Sequence, residues 1–315
     1  MHDFDWGLPA PEGKLEPRML DLDRFLPQYE AYFAAGNGPT DGDLIWPAMP
    51  PRAVPWLEGI LGCTVEYSLP TSSIFAEAVI GDGWGEVPAP LPLAANPWFL
   101  KLAEFILGLS KLSSGRFAVA PPLTRGPWDL ACALRGMGNA YLDLYDNPDE
   151  LRKLGAFCRR VWIEVTRALA EIVPRWRGGV VGFLGMWAPG FNPLPQNDAS
   201  VSVSPKKYRE VMREADQEVA EAWECQIFHL HSAGLQIVDD VLPFLGGRAL
   251  NVVIDPAGPS LEALLPTLRH VQEANVPLHL GLGHRDQVEP ITRALEPAGL
   301  AITYAPGDQA SAAGR

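Results

Sequence analysis

Gln226-Ile227-Phe228-His229-Leu230-His231-Ser232-Ala233-Gly234 is an apolar run interrupted by two histidines and ended by small residues. Such a run reads as a strand buried on both faces, and histidines two positions apart in a strand point to the same side. The unit then repeats. Helical spacing over 235–245 leads to a strand over 251–255, and a helix through Leu261, Leu264, Leu265, Leu268 and Val271 leads to a strand over 278–282. A further helix precedes a last strand over 301–304. Four strands in succession with short crossovers predict a parallel sheet, either open and doubly wound or closed into a barrel. An open sheet advertises itself by a phosphate-binding glycine loop. Here Gly81-Asp82-Gly83-Trp84-Gly85 lacks the GxGxxG spacing, and Gly281-Leu282-Gly283 comes too late in the chain. The expected fold is therefore α/β, a (β/α)8 TIM barrel with an N-terminal helical extension.

Upstream, candidate strands lie over 44–47, 65–69 with 74–80, 117–121 and 180–184, which brings the total to about eight. Asn147 is placed to cap a long helix opened by Pro148, with Glu150 at the capping-box position, and Ser204-Pro205 opens another. The stretch to about Pro17 reads as a loose arm, followed by an accessory helix through Leu22, Phe25, Leu26, Tyr29, Tyr32 and Phe33. The expected division is 1–40 for the arm and accessory helix, 41–307 for the barrel and 308–315 for a flexible tail.

Lys and Arg number 25 against 38 Asp and Glu, a net charge of -13, so a polyphosphate backbone is repelled and no nucleic-acid partner is expected. No apolar run reaches the roughly 18 residues of a membrane span, and Met1-His2-Asp3-Phe4-Asp5 is acidic where a signal peptide is basic. A cytoplasmic protein without a membrane partner is expected, with a homodimer as a candidate assembly. Cys63, Cys132, Cys158 and Cys225 form no CxxC pair and read as reduced buried thiols. Tryptophans and prolines recur together just past apolar runs, as in Ile45-Trp46-Pro47 and Met186-Trp187-Ala188-Pro189. Trp46 and Trp187 are thus expected as rigid pocket walls.

In a parallel barrel the working residues lie at the C-terminal strand ends, where His229, His231, His279, His284, Asp255 and Tyr304 fall. Three readings of the His229/His231 pair stay open. The imidazoles are hydrogen-bonded in a polar layer; or His231 transfers a proton; or both hold a divalent metal, joined by Asp255. Asn197 and Asp198 lie in a loop before Ser204 and serve either the turn or a substrate. Arg125 and Asp129 flank Gly126-Pro127-Trp128 and are candidates to bind a carboxylate and a cation; alternatively Asp129 is a helix-start charge. Ser232 has no GxSxG context but opens a helix whose free N–H groups suit an anion.

Gly126-Pro127-Trp128-Asp129-Leu130, Asp198 with Ser204-Pro205-Lys206-Lys207-Tyr208, and His231-Ser232-Ala233-Gly234 occur in the order and spacing of similar stretches in the uroporphyrinogen decarboxylase superfamily. That superfamily includes the corrinoid-linked methyltransferases, and the chain resembles a divergent member over roughly 40–305, with weaker echoes such as Phe75-Ala76-Glu77. The resemblance implies a single barrel acting on a small organic, anionic substrate by acid/base chemistry at carbon, in a decarboxylase or lyase manner. On it, His231, Asp255 and Asp198 are the catalytic candidates. Trp46, Glu77, Arg125, Asp129, Trp187, Asn197, Ser232, His279 and Tyr304 are the substrate-binding ones. Two departures matter. The methyltransferases resemble zinc enzymes using one His and two Cys, whereas this chain has Ala233 at the motif cysteine and no cysteine beyond Cys225. The decarboxylases' Arg-Gln-Ala-Gly-Arg-type segment also has no counterpart before Asp43. The alternatives are a methyl-transfer or metal-assisted enzyme with His229 and His231 as ligands, and a non-catalytic small-molecule-binding barrel.

Overall fold

The computed structural model describes residues 5–36, 42–81, 83, 84, 87 and 89–304. Its strands are β1 (Glu12–Lys14), β2 (Val65–Ser68), β3 (Ser73–Ala76), β4 (Thr124–Arg125), β5 (Val180–Val181), β6 (Trp187–Ala188), β7 (Pro195–Gln196), β8 (Ile227–His231), β9 (Ala249–Val253), β10 (Leu278–Leu282) and β11 (Leu300–Tyr304). The fold is mixed α/β with parallel sheets. Strands β8 to β11 form a parallel four-stranded sheet in the order β11-β10-β9-β8. In it His229 pairs with Asn251, and Asn251 in turn with His279. Side chains alternate across a strand, so one register row holds three polar groups side by side. The row one residue along, Leu230, Val252 and Leu280, is fully buried on the opposite face. Of the helices that alternate with these strands, Leu261–Glu273 packs against β10, and Leu230, Val252 and Leu280 join one core cluster with Val241, Leu245, Leu268 and Ile291. Each such aliphatic side chain stabilises the sheet by roughly 1.5–3 kcal/mol.

The N-terminal half departs from the expected ladder of strands. Instead of strands over 44–47 and 117–121 there is a single parallel bridge, Ala48 to Val119. Strands β4 and β7 pair in parallel over two residues, and Gly126 N donates to Gln196 O. Ile227 N donates to Pro193 O, which sets the β7 segment beside β8. The reason is compositional: Pro47, Pro50, Pro51, Pro121, Pro122, Pro193 and Pro195 have no N–H to donate, so ladders through them stop after one or two rungs. The expected strand over 180–184 contributes only β5, which turns back antiparallel on β6. The stretch over 65–80 makes a separate antiparallel sheet, β1-β2-β3.

The N-terminal arm is not loose along its described length: Glu12–Lys14 pairs with β2 and Leu15 is buried. The accessory helix Leu22–Ala34 is capped by Asp21, whose carboxylate accepts from Asp23 N. Phe25 is wedged edge-on between Trp6 and Phe105, 5.3 Å from each ring centroid. The helix Pro148–Ile172 buries Leu151, Leu154, Val161, Trp162, Val165 and Leu169 as its spacing requires. Asn147 makes no capping hydrogen bond there; its amide donates to Asp143 instead. Ser204 does cap the next helix, accepting from Lys207 N. The tail over 308–315 lies outside the described residues. No described helix is long and apolar enough to cross a membrane.

Candidate metal centre

His229 and His231 project from the inner face of β8, and the turn Asp198–Ser202 brings Asp198 against them. His229 Nε2 lies 3.2 Å and His231 Nε2 3.3 Å from the same oxygen, Asp198 Oδ1. Neither imidazole of the pair is aligned for a hydrogen bond to it. His229 Nε2 and Asp198 Oδ1 are both buried and have no hydrogen-bond partner among the described residues.

Which lone pairs face this point follows from the other side of each ring. His229 Nδ1 is 2.5 Å from Asn251 Oδ1, an oxygen that only accepts, so Nδ1 carries the hydrogen and Nε2 in the neutral ring is a bare lone pair. Asn251 Nδ2 donates to His279 Nδ1 at 2.6 Å, which leaves the hydrogen of His279 on Nε2, 3.2 Å from Thr303 Oγ1. His231 Nδ1 faces Asp255 Oδ1 at 2.6 Å, so this ring too turns Nε2 toward Asp198. Two imidazole nitrogens and a carboxylate oxygen thus converge with lone pairs inward, all within 4.8 Å of one another. That arrangement repels itself unless a cation sits among them. Donors held about 2.0–2.1 Å from one ion at angles between 90° and 109° stand about 2.9–3.4 Å apart, which is the spacing of both N···O pairs. An imidazole oriented by a carboxylate at its far nitrogen is the usual support of a metal-binding histidine.

The competing cation is a proton on His231. Asp198 beside Nε2, and next Asp255 at Nδ1, outweigh burial and push the imidazole up to about 9. Burial alone would raise the Asp198 carboxyl, but the two imidazoles hold it below the usual carboxylate range. Burial lowers His279 to about 4, so its ring is neutral. The sign for His231 follows from linkage. Its folded value lies above the ordinary value near 6.5, so the stability from its proton is complete below about pH 6.5 and is lost as pH rises through about 9. In chelator-treated protein, the thermal midpoint of wild type should exceed that of His231→Gln by a constant margin below pH 6.5, and the margin should shrink through pH 9. A margin independent of pH would remove this assignment.

The turn bearing Asp198 is held from beneath. Asp129, buried at the start of the helix Pro127–Arg135, accepts from the backbone N–H of Asp198 at 3.1 Å and of Ala199 at 2.8 Å. Burial and the nearby Asp198 charge raise its carboxyl. Asn197 donates to Asp216 Oδ2 at 3.0 Å, as does the Tyr208 hydroxyl at 2.9 Å. Gln196 donates to Asp198 Oδ2 at 2.6 Å. Asp129 and Asn197, expected to meet a substrate, are therefore spent on the loop that presents Asp198. Asp216 and Gln196 are members that sequence reasoning missed. Ser232 is likewise occupied: its hydroxyl donates to Asp255 Oδ2 at 2.9 Å and accepts from Asp255 N, rather than facing an anion. Asp255 itself stands behind His231, because the end of β9 reaches Nδ1 and not the convergence point. Asp198 occupies the place expected for it as third donor.

A cavity of about 960 Å³ opens over this floor, lined by His229, His231, Asn251, Gln196, Trp46 and Tyr304 among others. Trp46, expected as a pocket wall, and Tyr304, a strand-end candidate, both line it. Trp187 does not line it: its indole donates to Trp176 O on the β5–β6 hairpin. Glu77 is exposed beyond β3, outside the cavity lining. Arg125 is paired with buried Glu58 at 3.1 Å. His279 lies behind Asn251, 1% exposed. A thiolate zinc site does not fit, since Cys63, Cys132 and Cys158 are buried elsewhere, Cys225 lies outside the cavity lining and Ala233 offers no sulfur.

No protein-family model matches the sequence, and no curated protein matches it. Among solved structures, a methyltransferase from Methanosarcina mazei is similar, with a TM-score of 0.55 and 12% identity over 85% of this chain and 79% of that one. At this identity the likeness concerns the fold.

Proposed function

We propose that the chain is a metal-dependent enzyme of the uroporphyrinogen decarboxylase-like superfamily, acting on a small organic anion in the cavity above Asp198, His229 and His231. In this reading the eight segments around the cavity, at Ala48, Leu123, Phe183 and Gln196 and in β8, β9, β10 and β11, would close as a (β/α)8 barrel; each contributes to the lining. The carrying observation is the convergence of three donor atoms, two of them buried and without any hydrogen bond. An orphaned buried polar atom costs roughly 1–3 kcal/mol, so two such atoms aimed at one point call for an occupant.

A divalent cation there would supply Lewis acidity, polarising a substrate oxygen or lowering the pKa of a bound water. The N₂O donor set suits zinc or another borderline ion rather than one that demands sulfur. Asp255 would hold the His231 ring, Asn251 the His229 ring, and Asp129 the Asp198 turn. Methyl transfer and carbon–carbon lyase chemistry are the two reaction classes consistent with the superfamily. A second reading keeps the decarboxylase-like acid/base mechanism without metal, with His231 delivering the proton; its support is the imidazole held protonated up to about 9 between two carboxylates.

Elemental analysis and equilibrium dialysis against zinc and cobalt(II) separate the two. One equivalent per chain, with visible cobalt(II) absorption that zinc displaces, is the expected result. Failure to retain any divalent ion at micromolar concentration would leave the acid/base reading.

A further inference from the structure

Arg52 lies in the Pro50-Pro51-Arg52-Ala53 segment ahead of the helix Trp56–Ile60, and its guanidinium sits over the Phe183 ring, 5.3 Å from the centroid. Both residues line the cavity above His229 and His231. No ion pair or hydrogen bond joins Arg52 to another described residue. The cavity lining explains it: among the described residues that form it there is no Asp or Glu, and Arg52 is its one Arg or Lys. Asp198 and Asp255 do not themselves line it; they contact the histidines.

Arg52 is exposed, and its guanidinium, held over the Phe183 ring at the cavity wall, has no protein anion and is open to one that enters the cavity. The walls around it, among them Trp6, Phe33, Trp46, Phe183 and Tyr304, are aromatic and offer planar apolar contact. One fixed positive charge balances one negative charge. In the metal-free protein a phosphate dianion would bring a second charge that no further Arg or Lys of the described lining meets, whereas a carboxylate matches the planar guanidinium fork. A volume of about 960 Å³ far exceeds what a bare small anion fills.

We propose that Arg52 is the carboxylate anchor of this cavity, and that its ligand is a monocarboxylate with an aromatic or extended apolar body lying against the aromatic wall. The inference rests on the cavity being the substrate site, and it is tested without the metal.

Tryptophans at positions 6 and 46 line the cavity, so intrinsic fluorescence reports on its occupancy. The probe is 3-phenylpropionate, titrated into chelator-treated full-length protein and checked by calorimetry. It should bind at least tenfold more tightly than 3-phenylpropionamide, phenylphosphonate or acetate. Arg52→Gln should cut acid binding at least tenfold, to the level of the amide, while Arg52→Lys retains part of it. The thermal midpoint of Arg52→Gln should stay near that of wild type, because Arg52 has no protein partner beyond the Phe183 ring. Equal binding of acid and amide to the unsubstituted protein would overturn the proposal without reference to any variant. So would unchanged acid binding in Arg52→Gln, absence of binding at millimolar probe, or tighter binding of phenylphosphonate. Zinc binding is measured separately and is expected unchanged in Arg52→Gln; its failure would sink the metal reading while leaving the anion anchor standing.

Discussion

Substituting His229 by alanine will lower the affinity for zinc or cobalt(II) by more than about 100-fold, measured by competition dialysis against a chelator of known strength. Loss of an orienting partner behind a ligand already costs about 10–100-fold, and loss of the ligand itself exceeds that. The same loss is expected for His231→Ala and Asp198→Ala, since all three donor atoms converge on one point. His229→Ala carries a folding cost too, because Asn251 Oδ1 loses its donor in a buried layer. That cost is about 1–3 kcal/mol. Far-ultraviolet circular dichroism and the thermal midpoint therefore accompany each titration. Asp198→Asn is the control that keeps shape and removes charge, and it should also bind metal poorly. If all three alanine variants keep wild-type affinity, the ion binds elsewhere and the site as described does not hold it.

Asn251→Leu will destabilise the protein by roughly 2–6 kcal/mol, about 1–3 for each of two buried ring nitrogens, Nδ1 of His229 and Nδ1 of His279, left without a partner. Asn251 is 1% exposed and is the only described side chain that touches both His229 Nδ1 and His279 Nδ1. Leucine has nearly its shape and can serve neither ring. The effect extends to the site. Without the Asn251 oxygen, the hydrogen of His229 is free to move to Nε2, where it blocks coordination, so metal affinity should fall by about 10–100-fold. Asn251→Asp separates the two roles: its carboxylate still accepts from His229 but cannot donate to His279 unless protonated. It should retain metal affinity better than Asn251→Leu. Chemical denaturation with the metal removed gives the stability term alone. A change under about 0.5 kcal/mol would show that the relay through Asn251 is not what holds this layer together.

How much of this was legible in the sequence differs by region. In the C-terminal half each strand is a predominantly apolar run without proline and the helices keep their apolar periodicity, so β8 to β11 and their order follow from local pattern. In the N-terminal half the same kind of apolar runs, over 44–47 and 117–121, are punctuated by prolines whose missing N–H groups truncate the ladders. Periodicity sees the apolar side chains and not the absent donors, and it therefore expects longer strands than form. The residues over 74–80 show a further limit, because an apolar run does not state its pairing direction, and β3 turned out antiparallel to β2.

The site was legible in part. His229 and His231 on one side of a strand is a consequence of period two, and Asp255 at the end of the next parallel strand follows from register. Asn251 reads as one polar residue in an apolar run, and only its register with His229 and His279 shows what it does. Asp129, Asn197 and Ser232 were singled out as polar residues beside a presumed pocket, but a polar side chain near a site either meets the ligand or supports the residue that does. Sequence has no means of telling these apart. Arg52 gave no signal beyond being a cation amid prolines.

The order of local elements, the inward histidine pair and the absence of a motif thiol were determined by the sequence alone, because alternation, helical period and residue identity are local properties. Tertiary structure decided which carboxylate faces which nitrogen. Asp198 arrives from a loop about thirty residues before the histidines, presented by Asp129 and Asn197, while Asp255 takes the far side of His231. That choice depends on hydrogen bonds between residues distant in sequence. On the proposed metal reading, it separates the ligand from the group that orients one.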